Sequence, residues 1–236
     1  PGRPAGLEIS VGTGGGAAPP GAGATLRQAG AALDAGAYDS ASELYLDVLL
    51  AAPDHVEALF GLAASLQGMG QTAEARATYR EVLALAPDHR GARINLAGLL
   101  ADGGPGGDPG EAVALVESML AGAPDDPALW SQLARVRFAA GRTDAALAAA
   151  ERAVSLAPDR LGPRYNLAVL LDRAGRHGAA ARAYSAVLRQ AEAGAAEAAG
   201  LPIPALRRRL AALVALAETG GSDSGLAEAG VAGAGR

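Results

Sequence analysis

The chain contains no cysteine and no lysine, and aromatic residues make up only 3% of its 236 residues. Without cysteine it can form no disulfide and offer no thiolate nucleophile, so the sequence gives no indication of a redox compartment. All 20 basic residues are arginine, and a net charge of −5 produces no overall positive field that would attract phosphate groups. We therefore expect no nucleic-acid partner.

Long apolar runs are also absent, since no stretch approaches the roughly 18 apolar residues that indicate a membrane-spanning helix. We therefore expect no transmembrane segment in this chain. The sequence begins with Pro1 rather than methionine, from which we expect a processed or cropped N-terminus. Its many alanines, glycines and arginines are typical of a GC-rich bacterial genome, and they leave a cytoplasmic or a periplasmic location open.

Hydrophobic residues nevertheless reach 50%, and most of them are alanine, leucine and valine. A closed globule of this length usually carries more large aromatic side chains at its centre. Small apolar side chains suit thin layers in which helices approach each other closely. The composition therefore favours stacked helices.

The sequence repeats itself with a nearly constant period. The string Ala-Pro-Asp recurs around Pro53, Pro87, Pro124 and Pro158, at spacings of 34, 37 and 34 residues. Alignment on these prolines brings three further columns into register, which are Ala41, Ala75, Ala112, Ala146 and Ala180; Gly36, Gly70, Gly141 and Gly175; and Leu62, Leu96, Leu133 and Leu167. Several aligned columns indicate a true internal repeat.

Each repeat has the pattern of two helices. In the second repeat the apolar residues Leu59, Leu62, Ala63 and Leu66 have the spacing of one helix face. Gly70 then ends that helix, Thr72 is expected to cap the next one, and Pro87 closes the repeat. At the repeat boundaries the sequence predicts caps at Asp54, Asp88, Asp125 and Asp159. The neighbouring His55 and His89 are expected to be solvated.

These columns resemble those of the tetratricopeptide repeat, a helix-turn-helix element of about 34 residues. The fourth repeat matches with Trp130, Leu133, Ala134, Gly141, Ala146, Ala153 and Pro158, and the fifth with Tyr165, Asn166, Leu167, Ala168, Gly175, Ala180 and Tyr184. The resemblance implies an all-α fold, a right-handed superhelical solenoid of about five repeats with a C-terminal capping helix. It also implies a non-catalytic scaffold that binds a peptide or protein segment in the concave groove of the superhelix.

The repeats divide the chain into three parts. Residues 1–23 are predicted to be a flexible linker rich in Gly, Ala and Pro, residues 24–218 the solenoid, and residues 219–236 a disordered tail. The predicted repeats cover residues 22–55, 56–89, 90–126, 127–160 and 161–192, and the capping helix covers residues 203–218. The three arginines at 207–209 would give that helix a polar outer face.

Four departures from the repeat pattern carry expectations of their own. Gln28 stands where leucine is expected and weakens the first helix of the first repeat. Residues 103–110 add a longer loop to the third repeat. Arg137 takes the place of a buried residue, so either the last turn of that helix has a different register or the stem of Arg137 lies flat while its head reaches solvent. The fifth repeat lacks the closing proline, which predicts a longer second helix.

No motif in the chain indicates catalysis or a cofactor. The glycine-rich residues 7–17 imitate a dinucleotide turn, but Pro19 and Pro20 follow them and no helical pattern resumes before Thr25. The three histidines have no second ligand at helical spacing, so no metal site is expected. The serines stand in ordinary helical patterns rather than at a sharp nucleophile turn. We therefore expect that the protein is not an enzyme and that it binds no cofactor and no metal ion.

In the family that the sequence resembles, residues on the first helices of successive repeats line the groove. At those positions this chain has Phe60, Asn95, Gln132, Arg135, Tyr165 and Asn166, with Ile94 and Ser131 beside them. An asparagine there can bond a ligand's backbone through its donor and its acceptor, an aromatic ring offers apolar area, and an arginine can hold a carboxylate. The resemblance thus implies a protein or peptide partner at these residues.

Two further hypotheses remain open on the sequence alone. The chain could be an accessory module of a larger enzyme or of a cell-envelope secretion or pilus assembly machine, which its linker-like start and missing methionine favour. It could also self-associate through its end helix. The sequence does not identify a partner.

Overall fold

The computed structural model describes residues 22–102, 104, 106–194 and 200–223, with side chains described as far as Leu216. The predicted linker up to residue 21, including the glycine-rich residues 7–17, and the predicted tail from residue 224 lie outside these residues. The described residues contain helices and no strand, which confirms the predicted all-α fold. The chain forms two compact units, Pro1–Ala121 and Gly122–Arg236.

The N-terminal unit is a series of antiparallel helix pairs. Its helices are α1 (Ala22–Asp34), α2 (Tyr38–Ala51), α3 (Val56–Gly68), α4 (Thr72–Leu85), α5 (Arg90–Ala101) and α6 (Pro109–Gly122), the last residue of which falls in the second unit. Helix α1 forms in spite of Gln28, whose side chain is exposed, and it begins before the predicted Thr25. Between α5 and α6 lies the predicted longer loop, which turns at Gly106 with φ of 74°.

The C-terminal unit continues the same pattern and ends on a longer helix. Its helices are α7 (Pro127–Ala139), α8 (Thr143–Leu156), α9 (Leu161–Arg173), α10 (His177–Glu192) and α11 (Ile203–Asp223). Helix α10 has 16 residues where α8 has 14, which confirms the predicted extension of the fifth repeat. Helix α11 extends to Asp223, beyond the end predicted at residue 218.

The aligned columns of the sequence have two structural causes. The five repeated alanines, Ala41, Ala75, Ala112, Ala146 and Ala180, are fully buried, each with 0% exposure, because the paired helices approach there too closely for a larger side chain. The four repeated glycines, Gly36, Gly70, Gly141 and Gly175, have φ between 73° and 78°, the left-handed conformation that ends a helix. The repeat pattern therefore encodes helix contacts and turns directly.

Helix starts at the repeat boundaries differ from the predicted aspartate caps. His55 and His89 cap α3 and α5, since each Nδ1 accepts a hydrogen bond from the backbone N–H three residues later, at 3.3 and 3.1 Å. His55 is buried and His89 half-buried, so the expectation of solvated histidines is wrong. Helix α7 is capped by Asp126, one residue after the predicted Asp125.

The predicted caps take other roles. Thr72 lies inside α4 and donates to the Gly70 carbonyl instead of accepting from the helix. Asp88 and Asp125 bind Arg93 and Arg152 in ion pairs at the surface. The N-cap position of α9 is Arg160, next to the predicted Asp159, and its side chain makes no capping hydrogen bond.

Polar side chains also join consecutive repeats of the C-terminal unit. Trp130 donates its indole N–H to the Pro124 carbonyl at 2.7 Å, and Arg164 donates to the Pro158 carbonyl at 2.8 Å. Arg137 is half-buried, and its guanidinium donates to the Ala145 carbonyl of α8 at 3.4 Å. The last turn of α7 thereby stays tied to α8.

Helix α11 closes the C-terminal unit through one apolar contact and one charged contact. Its Leu206 and Leu213 are buried in a cluster with Leu161 and Tyr184. Arg209 donates from Nε and Nη2 to the two carboxylate oxygens of Asp172, both at 2.7 Å. All three arginines at 207–209 are exposed, as the sequence predicts, and Arg209 in addition holds Asp172.

Candidate partner-binding surface

The six residues predicted from the sequence lie on the first helices of successive helix pairs. Phe60 is on α3 and Asn95 on α5 in the N-terminal unit. Gln132 and Arg135 are on α7, and Tyr165 and Asn166 on α9, in the C-terminal unit. The structure separates them by accessibility as well as by unit.

Phe60 belongs to the core of the N-terminal unit. Its side chain is 4% exposed, with its ring centroid 5.9 Å from that of Tyr79 and 4.6 Å from that of His89. Gly91 provides the space for the ring, because a Cβ at that position would lie 2.9 Å from the Cζ atom of Phe60. A partner cannot reach this side chain at the surface, so the expectation that it offers apolar area to a ligand is corrected.

Asn95 is likewise buried, with 1% exposure. Its Nδ2 donates a hydrogen bond of 3.0 Å to the Tyr79 hydroxyl, which in turn donates to Oε1 of Gln67 at 3.0 Å. Burial raises the pKa of Tyr79 well above its usual range, so the hydroxyl keeps the proton that it donates. Asn95 therefore holds the core together, and its neighbour Ile94 is buried as well.

Gln132 and Arg135 meet on one face of α7. Both are half-buried, and Nε of Arg135 donates to Oε1 of Gln132 at 3.3 Å. The neighbouring Ser131 donates its hydroxyl to the Pro127 carbonyl of the same helix, so this hydroxyl hydrogen is already bound. The guanidinium of Arg135 and the amide of Gln132 thus form a polar pair on this face of α7.

Tyr165 and Asn166 follow each other on α9 but have different surroundings. Tyr165 is half-buried and packs against the cluster that contains Leu161 and Tyr184. Asn166 is exposed. Helices α7 and α9 contact each other, so the four residues Gln132, Arg135, Tyr165 and Asn166 lie on two adjacent helices of one unit.

One further pair on these two helices was not predicted from the sequence. The guanidinium of Arg173 at the end of α9 lies over the ring of Phe138 near the end of α7, 5.0 Å from the ring centroid, a distance typical of a cation–π contact. Arg173 follows Phe138 by 35 residues, one repeat length plus one, and this spacing was the available signal. The pair extends the polar and aromatic surface along both helices.

The arrangement offers groups for recognition rather than a reacting centre. An exposed amide, a guanidinium and a partly accessible ring are groups that bind peptide backbone, carboxylates and apolar side chains. Among the described residues, no three His, Asp or Glu side chains converge in a way that could hold a metal ion. None of the described helices is long and apolar enough to cross a membrane.

Comparison with known proteins points to one family. A family model described as tetratricopeptide repeat matches residues 26–66, 62–127 and 131–196, well over half of the chain. A second model with the same description matches residues 106–152. No curated protein matches the chain.

Solved structures similar to this one are repeat proteins. MamA from Desulfovibrio magneticus, from residue 41 to its end, matches with a TM-score of 0.63 and 19% identity over 76% of this chain and 100% of that structure. A thermophilic TPR protein of Thermus thermophilus matches with a TM-score of 0.64 and 24% identity over 82% of this chain and 98% of the other. At these identities the similarity shows the fold.

Proposed function

Because the chain belongs to the tetratricopeptide repeat family, whose members are generally non-catalytic scaffolds for protein interaction, we propose that it binds an extended peptide segment across α7 and α9. The family membership supports an interaction scaffold, but a fold alone does not identify the binding surface. The surface is therefore argued from the side chains that the two helices present.

The observation that carries this proposal is the exposure of Asn166 beside the half-buried Tyr165, Gln132 and Arg135. An exposed asparagine can donate to a carbonyl and accept from an N–H of the same extended backbone. The ring of Tyr165 is held by the cluster behind it, so little rotamer freedom is lost when a ligand side chain packs on it. Together these groups suit a peptide lying across both helices.

The charge of the C-terminal unit favours an acidic segment in the peptide. Residues 122–236 contain 14 arginines and 11 Asp and Glu residues, so this half of the chain is positive although the whole is negative. The guanidinium of Arg135 has the geometry to bind a carboxylate with two parallel hydrogen bonds. The proposed ligand is therefore an extended peptide with at least one carboxylate.

Selection of a random peptide library on the intact chain, followed by fluorescence anisotropy on an enriched peptide, tests the proposal. The changes Asn166→Ala and Arg135→Ala should each weaken binding of that peptide about tenfold, as expected for a lost hydrogen bond at a charged or backbone group. Arg208→Ala on α11 serves as a control on the same unit and should leave the affinity unchanged. If peptide binding survives the double change at Asn166 and Arg135, the assignment to α7 and α9 is wrong.

The alternative of an accessory module in a larger enzyme or envelope machine gains no support from the similar structures, which are repeat proteins themselves. A non-catalytic role is part of the proposal and rests on the family. Self-association through α11 is a second candidate, because Val214 and Leu216 of that helix are exposed large apolar residues.

A further inference from the structure

The exposed large apolar side chains of the described residues are concentrated on two helices. They are Leu46 and Leu50 on α2, Leu85 on α4, and Val214 and Leu216 on α11. Leu50 is 84% exposed, which is unusual for a leucine in a structure that buries so many others. Four of these five residues thus lie on α2 and α11, the second and the last of the described helices.

The exposed face of α2 combines these leucines with acid groups. Asp39, Glu43 and Asp47 follow each other at intervals of four residues, and Leu46 and Leu50 have the same interval beside them. In an α-helix these five positions fall on one stripe, and all five side chains are exposed. Among the described residues, none of the three carboxylates takes part in an ion pair.

The exposed face of α11 has the opposite charge. Arg207 and Arg208 point outward beside Val214 and Leu216. Arg207 pairs with Glu192 at 2.8 Å, with the two side chains 61% and 58% exposed, so the pair is weak and can be exchanged for another carboxylate. Arg208 makes no ion pair with any residue that the structure describes.

The charge of the two units supports the same pairing on a larger scale. Residues 1–121 contain 14 Asp and Glu residues against 6 Arg, whereas residues 122–236 contain 11 against 14. The N-terminal unit is therefore strongly negative and the C-terminal unit positive. Opposite charges at two different surfaces of one chain attract unlike surfaces of two copies and repel like ones.

We propose that a second copy of this chain is the partner of both faces, with α11 of one copy packed against α2 of the next. The arginines of α11 would neutralise Asp39, Glu43 and Asp47, and the apolar side chains of both helices would be buried between them. Because two different surfaces meet, each copy can contact two others, so the contact can extend from copy to copy as a chain or close into a ring. The surface on α7 and α9 is not used, and this inference is independent of the proposed peptide binding.

Sedimentation velocity of the full chain over a range of concentrations tests the contact. The weight-average sedimentation coefficient should rise with concentration at low salt and should fall when salt screens the charges. The double change Leu46→Asn and Leu50→Asn should abolish most of that rise. Leu85→Asn, which removes an exposed leucine of α4 outside both faces, is the matched control and should behave like the parent chain.

Charge reversal distinguishes a second copy from any other occupant. A variant with Asp39→Arg, Glu43→Arg and Asp47→Arg has two positive faces, and a variant with Arg207→Glu and Arg208→Glu has two negative ones. Each variant alone should be monomeric with unchanged helix content by circular dichroism, and an equimolar mixture should assemble again. A parent chain that stays monomeric at every concentration and salt, or a mixture that does not assemble, would overturn the proposal and leave the acidic face to a basic helix of another protein.

Discussion

The amide of Asn95 donates a hydrogen bond of 3.0 Å to the hydroxyl of Tyr79, and this bond makes Asn95 part of the core. Asn95 and Asn166 occupy the same position in their repeats, each directly before an aligned leucine. Asn95 is buried beneath Tyr79 of the preceding repeat, whereas Asn166 is exposed. In the repeat that precedes Asn166, the position of Tyr79 is taken by Ala150. A methyl group cannot cover or bind the amide, so the same residue type holds the core at one place and faces solvent at the other.

Asn95→Ala should lower the free energy of unfolding by about 1–3 kcal/mol, because it leaves the buried hydroxyl of Tyr79 without its donor. Asn166→Ala, at the equivalent exposed position, should change it by less than about 0.5 kcal/mol. Urea unfolding followed by circular dichroism measures both. The double variant Asn95→Ala and Tyr79→Phe should be destabilised by less than the sum of its single changes. Equal effects of the two asparagine changes would contradict a core role for Asn95.

Gly61→Ala should be destabilising although alanine is the better helix former. A Cβ at Gly61 would lie 2.1 Å from Cζ of Tyr45, whose ring rests on this glycine, and the overpacking should cost about 1–3 kcal/mol. Gly178→Ala in α10 is the matched control, since Gly178 is exposed and the nearest atom to its Cβ position beyond the adjoining residues is Nη1 of Arg182 at 3.9 Å, an ordinary contact. It should stabilise the chain by up to about 1 kcal/mol, as expected from helix propensity alone.

Urea unfolding midpoints of the two glycine variants separate these effects. A third variant, Gly61→Ala combined with Tyr45→Leu, should recover part of the loss caused by the first change, because the ring that meets the new methyl group is gone. If Gly61→Ala and Gly178→Ala shift the midpoint in the same direction, the close contact of Tyr45 with Gly61 is not what the structure indicates.

The repeat itself could be predicted because its signals are local. A buried alanine such as Ala75 and a turn glycine such as Gly70 recur once per repeat, and each is required by a contact within its own helix pair. The spacing of such residues also predicts the number and order of the helices. The exposure of an individual side chain could not be predicted from these local signals, since it depends on which residue of the preceding helix pair covers that side chain.

The features that could not be predicted involve residues outside one repeat or unusual residue types. Arg209 binds Asp172 across 37 residues, from a helix that has no place in the repeat pattern. His89 caps α5 through its ring nitrogen although aspartate was the expected cap. Phe60 and Asn95 occupy positions that face a ligand in the family pattern, and only the rings packed on them reveal that they are buried.

The stability of the N-terminal unit should decrease as the pH falls below about 6.5, the ordinary value for histidine. Burial lowers the pKa of His89, whose neutral Nδ1 accepts the hydrogen bond from the Ala92 N–H. Because the unfolded chain binds the proton more readily, the contribution of neutral His89 is fully present above that value. It is lost as the pH falls towards the lower pKa of the folded state.

His89→Asn is the informative change for this pH dependence, because asparagine keeps a strong capping group and does not titrate. The unfolding free energy of the parent chain minus that of this variant should decrease as the pH is lowered from about 8 to about 5, because only the parent chain loses a contribution. Urea unfolding at a series of pH values provides the measurement. A difference that stays constant over this range would show that His89 has the same pKa in the folded and unfolded states.

The contact between Asp172 and Arg209 should make the attachment of α11 sensitive to strong acid. The Asp172 side chain is 11% exposed and accepts both hydrogen bonds from Arg209, with Tyr184 and His177 also beside it at 3.4 and 3.5 Å. The Arg209 guanidinium lowers the pKa of Asp172 below its usual range in spite of the burial, which acts in the opposite direction. A lowered carboxyl pKa stabilises the folded chain above the ordinary value of about 4, and this contribution is lost as the pH falls below it.

Asp172→Asn should therefore destabilise the chain at neutral pH, and its difference from the parent chain should narrow below about pH 4, where the parent carboxylate is protonated as well. Arg209→Ala should show the same loss at neutral pH, and the double variant should lose little more, because both changes remove one contact. Asp144→Asn is the control, since its carboxylate is 89% exposed in a surface pair with Arg176 and should contribute little. Urea unfolding from pH 7 to pH 3 measures the parent chain and all of these variants. Additive losses at Asp172 and Arg209, or a difference that does not depend on pH, would mean that this ion pair does not hold α11 in place.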